Sequence, residues 1–223
     1  KREFITHTGW LGKKRITVMS TGIGTDNIDI VLNELDALVN IDLASRTIKP
    51  NLTSLQIMRI GTSGSLHPDV DIDSIVISGR GVGMDALGFY YTCDKVNHPL
   101  LPDWAYWTKR YDFSLKHFPA PFTEGITMSF PGFYGPQGRT LRIEPKLKIP
   151  IDELHKHTID GLPFTNLEME TAAIYLLAEK LGHQAISFNA ILANRIIGRF
   201  SKDTSVPVDK LIMAVLEWIS NSR

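Results

Sequence analysis

The sequence predicts a single α/β domain over residues 1–223, built on a largely buried mixed β-sheet with flanking helices. Short apolar runs alternate along the chain with segments of helical periodicity, and no repeat or low-complexity tract interrupts them. Such alternation is typical of α/β proteins. Polar residues also gather where the apolar runs end, which is where folds of this class place their binding sites.

The composition excludes several classes of partner. Lys plus Arg number 24 and Asp plus Glu number 24, so the formal net charge is +0. Bulk charge therefore supports neither a nucleic-acid nor a membrane partner, and any anion site must be built locally. No apolar run reaches the length of a membrane span and no signal peptide is evident.

The single cysteine, Cys93, cannot form an internal disulfide. It has no basic neighbours in sequence, so we expect a structural rather than a nucleophilic thiol. A chain without a disulfide framework is consistent with a reducing compartment, and we expect a cytoplasmic protein.

The first 24 residues predict a hairpin followed by a small-residue turn. Two β-rich runs flank a turn at residues 9–14, and Ser20-Thr21-Gly22-Ile23-Gly24 follows directly. Helical periodicity begins at Asn27. This layout is typical of a polar-ligand site at a helix N-terminus, although an ordinary connection has the same layout and is the simpler interpretation. Residues 40–54 are expected to form a polar connection.

An arginine stands near the end of a buried strand predicted over Leu55–Ile60. Burying Arg59 costs free energy unless an anion or a carboxylate neutralises it. The strand is predicted to end in Gly61-Thr62-Ser63-Gly64-Ser65, whose hydroxyl and N–H groups would make a phosphate-sized site beside Arg59. The alternative is a structural Arg59 paired with an internal Asp.

The middle of the chain carries strands and aromatic residues. Strands are predicted at Ser74–Ser78 and Glu124–Ser129, while the glycines at 79–83 lack the spacing of a dinucleotide-binding motif. We expect Tyr106, Trp107 and Tyr111 to belong to a helix that packs on the sheet. The isolated histidines His98 and His117 lack partners at metal-ligand spacing.

The loop Ser129–Arg139 combines a stacking surface with polar recognition groups. Pro and Gly exclude a regular element, while Phe133, Gln137 and Arg139 supply a ring, an amide and a guanidinium. A planar heterocycle with adjacent C=O and N–H groups is recognised by this set. A surface turn with locally packed aromatic residues is the alternative.

The last third of the chain predicts a helix, a strand and a closing helix. The helix starts at residues 167–171 and ends at Gly182, with Glu170 in its first turn, where the helix dipole favours a carboxylate. Glu170 is either a helix-start acid or an acceptor for sugar hydroxyls. A buried strand at residues 184–193 ends in Asn194 and Arg195, and residues 208–220 form the closing helix.

Five motifs in order resemble the nucleoside phosphorylase family, and within it the uridine phosphorylases: residues 20–24, residues 59–64, Phe133-Tyr134-x-x-Gln137-x-Arg139, residues 168–170 and Asn194-Arg195. The resemblance implies an α/β fold whose central mixed sheet is a distorted barrel. It also implies phosphorolysis, in which a nucleoside and phosphate give the free base and ribose 1-phosphate. No cofactor is implied, since phosphate is a co-substrate.

The resemblance implies a role for each motif residue. Phosphate would be bound by Arg59 and Thr62, with Gly64 lining the site and Arg2 reaching it from a neighbouring subunit. Met169 would pack on the ribose and Glu170 would hold its hydroxyls. Phe133 would cover the base, Gln137 and Arg139 would read its edge, and Arg195 would act through Arg139 or water. The catalytic residues would be Arg59, Arg139 and Arg195.

Two further features bear on the substrate and the assembly. Purine-specific relatives usually carry an acid at the position of Asn194, so Asn194 and the Gln137-x-Arg139 spacing favour a pyrimidine. The family implies a homodimer, or a hexamer as a trimer of dimers, with shared sites. A structural cation at the interface is implied near Glu3, Ile23 and Asn27.

The chain departs from the family pattern in two places. Nothing before Arg2 supplies the family's first strand and glycine-rich loop with its phosphate-binding Arg, so the chain is expected either to be trimmed or to lack part of the phosphate site. The base loop reads Tyr-Gly-Pro-Gln where some relatives read Tyr-Pro-Gly-Gln, with the spacing to Arg139 kept.

Three alternatives stay open at this point. Besides a uridine phosphorylase, the sequence allows a purine-type phosphorylase on the same fold, a nucleosidase that uses water in place of phosphate, and a non-catalytic storage or binding relative. The residues also leave open the choice among uridine, deoxyuridine and thymidine.

Overall fold

The computed structural model describes residues 4–222, so Arg2 and Glu3 lie outside the described residues. The helices are α1 Thr25–Asn40, α2 Leu87–Tyr90, α3 Thr171–Leu181 and α4 Ser205–Asn221, with 3-10 turns at Gly135–Gln137 and Ile151–Lys156. The strands are β1 Thr6–Leu11, β2 Lys14–Met19, β3 Ile41–Asp42, β4 Thr47–Ile48, β5 Gln56–Ser65, β6 Ile75–Gly83, β7 Tyr106–Lys109, β8 Thr123–Ser129, β9 Thr158–Ile159, β10 Leu162–Glu168, β11 Gln184–Asn194 and β12 Arg199–Phe200.

Five strands close into a barrel. The strands pair in the order β12-β11-β5-β10-β8-β6-β7, and β11 also pairs with β6, which joins the two sides of the sheet. The pairing is mixed, because β5 runs parallel to β11 but antiparallel to β10, while β6 and β10 both run parallel to β8. The predicted α/β fold with a distorted, barrel-like mixed sheet is confirmed.

Helices cover the barrel through their apolar faces. Ile28, Val31 and Leu32 of α1 pack against Leu177 and its neighbours on α3. Helix α4 covers the other side, where Leu211, Val215 and Trp218 contact side chains of β6 and β11. Each fully buried Leu, Ile or Val in these layers stabilises the fold by roughly 1.5–3 kcal/mol relative to an exposed side chain. No helix in residues 4–222 is long and apolar enough to cross a membrane.

Two predicted strand ends are wrong, because the strands continue through their glycines. β5 runs on to Ser65, since β11 pairs alongside it as far as Asn194. β6 likewise extends to Gly83. At Gly83 a Cβ would lie 2.0 Å from Tyr106 Cζ, so glycine lets the Tyr106 ring lie across this strand.

Other predicted elements need correction or completion. Tyr106 and Trp107 lie in β7, which pairs with β6, and Tyr111 follows this strand rather than a helix. The predicted connection at residues 40–54 contains the small hairpin β3–β4. Strand β10 was not predicted, because Gly161 and Pro163 give its start the composition of a turn.

Candidate active site

Strand β5 places Arg59 in the middle of the barrel wall rather than at a strand end. The Arg59 side chain is only 11% exposed, and its guanidinium folds back over Gly61. A Cβ on Gly61 would lie 2.5 Å from Arg59 Cζ. Because real Cβ atoms do not approach other atoms so closely, only glycine at position 61 permits this arrangement.

Arg59 is held by two carboxylates and one amide. Its Nη2 lies 2.9 Å from Glu168 Oε2 and 2.7 Å from Glu170 Oε2, and its Nη1 donates to Asn189 Oδ1 at 2.9 Å. Burial alone would lower the pKa of Arg59, but the charges of Glu168 and Glu170 raise it above its ordinary value. The internal pairing considered from the sequence is therefore present, but its partners are two glutamates and not an Asp.

The two glutamates have different tasks at the junction of β10 and α3. Glu168 accepts hydrogen bonds from the Ser129 hydroxyl at 2.5 Å and from the backbone N–H of Thr171 at 2.9 Å, so it satisfies the start of α3. Glu170 is the N-cap residue and not part of the first turn, and its side chain does not cap the helix. Instead its Oε1 accepts from the backbone N–H of Gly24 at 2.7 Å. The small-residue turn before α1 is thereby joined to Arg59.

Thr62 and Gly64 lie on the opposite side of β5 from Arg59. Side chains alternate along a strand, and Thr62 is exposed whereas Ser63 is buried on the face of Arg59. Gly64 pairs with Leu167 of β10 and with Ala193 of β11. The open turn expected here is wrong, because these residues belong to a paired strand. Phosphate binding by Thr62 and Gly64 stays a prediction.

The loop between β8 and β10 brings the predicted base-binding residues together. Gln137 is buried and its Oε1 accepts a hydrogen bond from Arg139 Nη1. Arg139 also donates to the Phe133 carbonyl at 2.5 Å, and its Cζ lies 3.9 Å from the centre of the Phe133 ring. Arg195 completes the group by donating to the Gln137 carbonyl at 2.8 Å.

The charges in this loop favour an electron-rich ligand. Burial, with the like charge of Arg195, lowers the pKa of Arg139, and burial lowers the pKa of Arg195 itself. Two guanidinium groups that repel each other gain free energy from a partner carrying negative charge between them.

Asn194 acts as a structural amide beside this group. Its Nδ2 donates to the carbonyls of His67 and Val70, both at 2.9 Å, and its Oδ1 accepts from the backbone N–H groups of Ile196 and Ile197. These four bonds fix the turn that carries Arg195.

The base loop and Glu170 start from the same edge of the barrel. β6, β8 and β10 are mutually parallel, so their carboxyl ends share one edge, from which both the base loop and Glu170 emerge. Arg195 follows β11, which runs antiparallel to β6, and its backbone N–H donates to the Ser65 carbonyl at the end of β5. Gly61, beneath the Arg59 guanidinium, lies four residues before Ser65, a span of about 13 Å along the strand.

Other predicted site residues lie near this edge with less definite contacts. Met169, between the two glutamates, is partly exposed. Ile23 is 73% exposed, and Asn27 Nδ2 donates to its carbonyl at 3.0 Å. Neither observation tests the cation expected near these two residues, which stays a prediction.

No individual role was predicted for Glu168, Asn189 or Gly24 from the sequence. A polar residue inside the apolar run 184–193 was the one signal that could have singled out Asn189.

Comparison with known proteins decides the family. The model of the phosphorylase superfamily matches residues 1–209 of the chain. The chain belongs to this superfamily. The resemblance carried by the five motifs is thereby confirmed.

Individual relatives differ in the substrate that their names give. A uridine phosphorylase of Thermococcus kodakarensis is 28% identical over 224 residues, covering 97% of this chain and 73% of the relative. A DeoD-type purine nucleoside phosphorylase of Listeria monocytogenes is 24% identical over 218 residues, covering 97% and 80%. A Trypanosoma brucei nucleoside phosphorylase, described as showing uridine phosphorylase activity, superposes with a TM-score of 0.81 at 23% identity, covering 99% and 84%.

Proposed function

We propose that this phosphorylase cleaves uridine with phosphate, giving uracil and ribose 1-phosphate, in nucleoside catabolism and salvage. The observation that carries the proposal is the meeting of Gln137, Arg139 and Arg195 beside the Phe133 ring. Uracil offers alternating C=O and N–H groups along one edge. An amide and a guanidinium fork held side by side match that edge, and the Phe133 ring covers the face of the base.

The base loop also suits the chemistry of the leaving group. As the glycosidic bond breaks, its electron pair moves to the pyrimidine, which becomes an anion until it takes up a proton. The charge of Arg195 adds to burial in lowering the pKa of Arg139, and both guanidinium groups donate hydrogen bonds to Gln137, so two positive charges lie beside this residue. Positive groups fixed in advance where negative charge develops stabilise the transition state more than the ground state.

The contact between Arg59 and Glu170 suits the sugar and the phosphate. Glu170 accepts hydrogen bonds from ribose hydroxyls, and Arg59 donates to phosphate, with Met169 packed on the sugar. A phosphate oxygen forms the new bond to C1′ as the bond from C1′ to the base nitrogen breaks. Because Arg59 Nη2 lies 2.7 Å from Glu170, the two reactants are held at adjacent positions, which promotes their reaction.

The surroundings of Asn194 favour a pyrimidine over a purine. A purine leaving group gains from a proton delivered to its ring nitrogen, and that needs an acid. The Asn194 amide carries no acidic proton, and its donors and acceptor are engaged by His67, Val70, Ile196 and Ile197. The DeoD-type relative keeps purine phosphorolysis as the alternative that the substrate test must address.

The assembly proposed with this function is at least a homodimer, with the hexamer as a trimer of dimers. Large apolar side chains are exposed on the β1–β2 hairpin, in the turn that follows it and on α1: Trp10, Val18, Ile23 and Ile30. Exposed apolar side chains that form one patch are typical of a surface that another subunit covers. Arg2 of the neighbouring subunit would then reach the phosphate. A monomeric mass in sedimentation equilibrium at assay concentrations would contradict the shared site.

The substrate test compares two nucleosides in the same phosphate buffer. We expect uracil release from uridine and no hypoxanthine release from inosine, followed by chromatography of the free bases. Release from inosine alone would overturn the pyrimidine assignment. Deoxyuridine and thymidine, run in parallel, establish how much of the selectivity depends on the 2′-hydroxyl near Glu170.

A further inference from the structure

A ring of buried polar side chains runs around the inside of the barrel. Each barrel strand contributes one member, and all are buried; the ring consists of Ser63 from β5, Ser78 from β6, Thr127 from β8, Asn166 from β10 and Asn189 from β11. Four hydrogen bonds of 2.6 to 3.0 Å join the members in the order Asn189, Ser78, Thr127, Asn166 and Ser63, so the ring is open between Ser63 and Asn189. Polar groups inside a barrel cost free energy unless they are paired, and here each member has a partner on a neighbouring strand.

The ring reaches the active site at Asn189. The Asn189 Oδ1 accepts from Arg59 Nη1, while its Nδ2 faces Ser78 Oγ at 3.0 Å and the Val76 carbonyl at 3.5 Å. A carbonyl can only accept, so the amide nitrogen must face Val76 and the amide oxygen must face Arg59. The Val76 carbonyl therefore fixes which side of Asn189 meets the guanidinium, and Ser78 of the ring holds the amide nitrogen at 3.0 Å on the other side.

The hydrogen bonds of the ring share one direction. Asn189 donates to Ser78, so the Ser78 hydroxyl is free to donate to Thr127 Oγ1, which in turn donates to Asn166 Oδ1. Asn166 Nδ2 then donates to Ser63 Oγ at 2.9 Å. Ser63 lies two residues beyond Gly61 on β5, so the ring returns to the strand that carries Arg59.

We propose that this ring is a positioning device for Arg59, which rests on the proposed role of Arg59 in phosphate binding. Glu168 and Glu170 both contact Nη2, so they leave the guanidinium free to turn about that nitrogen. Asn189 holds Nη1, and the only other hydrogen bond of Nη1 within residues 4–222 goes to Ser187 Oγ at 3.4 Å. Holding both nitrogens fixes the plane of the guanidinium and hence the direction of its donors toward phosphate.

The proposal predicts an effect that decreases with distance along the ring. Ser78→Ala removes the acceptor next to Asn189, whereas Thr127→Val breaks the ring one step further away. We expect kcat/KM for phosphate to fall about 5-fold or more in Ser78→Ala and less in Thr127→Val, with KM for uridine unchanged. Thr127→Ser restores the hydroxyl and should restore the wild-type value.

The matched control is Thr108→Val. Thr108 is a buried threonine whose hydroxyl donates to the Gly81 carbonyl on the β6–β7 side of the sheet, outside the ring. The Thr108→Val variant should lower the melting temperature as Thr127→Val does, without changing kcat/KM for phosphate. Two outcomes would overturn the proposal. The first is a loss of kcat/KM for phosphate that is as large in Thr108→Val as in the ring variants and follows only the melting temperature. The second is wild-type kinetics in both Ser78→Ala and Thr127→Val.

Crystal structures of the wild type and Ser78→Ala separate this proposal from the proposed function. If the wild type shows no phosphate-dependent cleavage, the proposed function fails. The positioning role of the ring is then tested by the position of the Arg59 guanidinium in the two crystal structures. A displaced or disordered guanidinium in Ser78→Ala supports the positioning role. An Arg59 that superposes on the wild type overturns it.

Discussion

At the scale of single residues, Arg139 has the most direct link to the chemistry. It contacts Gln137 and Phe133 and lies near a second guanidinium, at the place proposed for the leaving base. We expect Arg139→Ala to lower kcat for uridine by about 100-fold or more, because it removes a charge that acts most strongly in the transition state.

Measurements of thermal unfolding and of uracil binding distinguish a catalytic defect in Arg139→Ala from a folding defect. The melting temperature of Arg139→Ala should stay near that of the wild type, as should that of Arg142→Ala, an exposed arginine nearby that serves as the control. An inactive Arg139→Ala protein that still bound uracil as tightly as the wild type would contradict the role given to Arg139.

Glu170 is expected to act on the sugar. Its carboxylate is buried against Arg59 and the Gly24 N–H, and ribose hydroxyls would donate to it. Glu170→Ala should raise KM for uridine by about 10-fold, the usual scale for a hydrogen bond to a charged group, while Glu179→Ala on the exposed side of α3 should not. Steady-state kinetics that were unchanged with ribonucleosides would remove Glu170 from the site.

The raised pKa of Asp85 predicts how the stability of the fold depends on pH. Burial raises the pKa of Asp85, although the Leu87 N–H and the Tyr106 hydroxyl both donate to its carboxylate. The unfolded chain releases the proton at the ordinary pKa and the folded protein holds it to higher pH. This group therefore stabilises the fold fully below the unfolded pKa, and that contribution is lost as pH rises through the folded pKa.

The neutral amide in Asp85→Asn can accept from Leu87 and donate to Tyr106. We expect this variant to melt at a higher temperature than the wild type near neutral pH, with the difference vanishing below about pH 4. Melting curves across this range test the sign. A variant that was equally destabilised at every pH would show that packing, not charge, governs this position.

Residues that act together within one loop could be predicted from the sequence, whereas partners from distant strands could not. Gln137 and Arg139 are two positions apart, so their contact follows from the loop itself. The partners of Arg59 come from positions more than 100 residues away, and only the folded barrel brings Glu168, Glu170 and Asn189 to it.

At the scale of elements, the ends of strands were the least predictable feature. Gly61-Thr62-Ser63-Gly64-Ser65 has the composition of a turn, yet it is the second half of β5 because β10 and β11 pair with it on both sides. Pairing with distant strands thus overrides local preference. Helix α3 was predictable as far as Gly182, whose φ of 76° ends it, but its first residue was not.

A substitution at Gly61 tests whether the packing of the Arg59 guanidinium over β5 matters for catalysis. An alanine Cβ at this position would lie 2.5 Å from Arg59 Cζ, so Gly61→Ala must push the guanidinium away from its partners. We expect kcat/KM for phosphate to fall by about 10-fold or more in enzyme assays, since a small misplacement of a catalytic group is costly.

The control for this change is Gly9→Ala in strand β1. A Cβ there meets no atom of the described residues within 4 Å, so its activity should match the wild type, provided that sedimentation shows the subunit contact proposed for this hairpin to be intact. If Gly61→Ala kept wild-type phosphate kinetics, the packing of Arg59 over the glycine would not matter for catalysis.

At the scale of the whole molecule, closure of the barrel depends on pairings far apart in the chain. Periodicity predicted alternating strands and helices, but the β11–β6 pairing that closes the barrel has no local signature. The family motifs supplied that expectation, and closure explains how one edge gathers both the base loop and the Arg59 group. We propose that phosphate cleaves a nucleoside at this edge.

The most direct test follows uracil release from uridine by absorbance, with and without added phosphate, and identifies the sugar product. We predict release only when phosphate is present, with one ribose 1-phosphate formed for each uracil. Equal release without phosphate, with free ribose as the product, would contradict the account, because Arg59 would then have no anion to bind and the enzyme would be a nucleosidase.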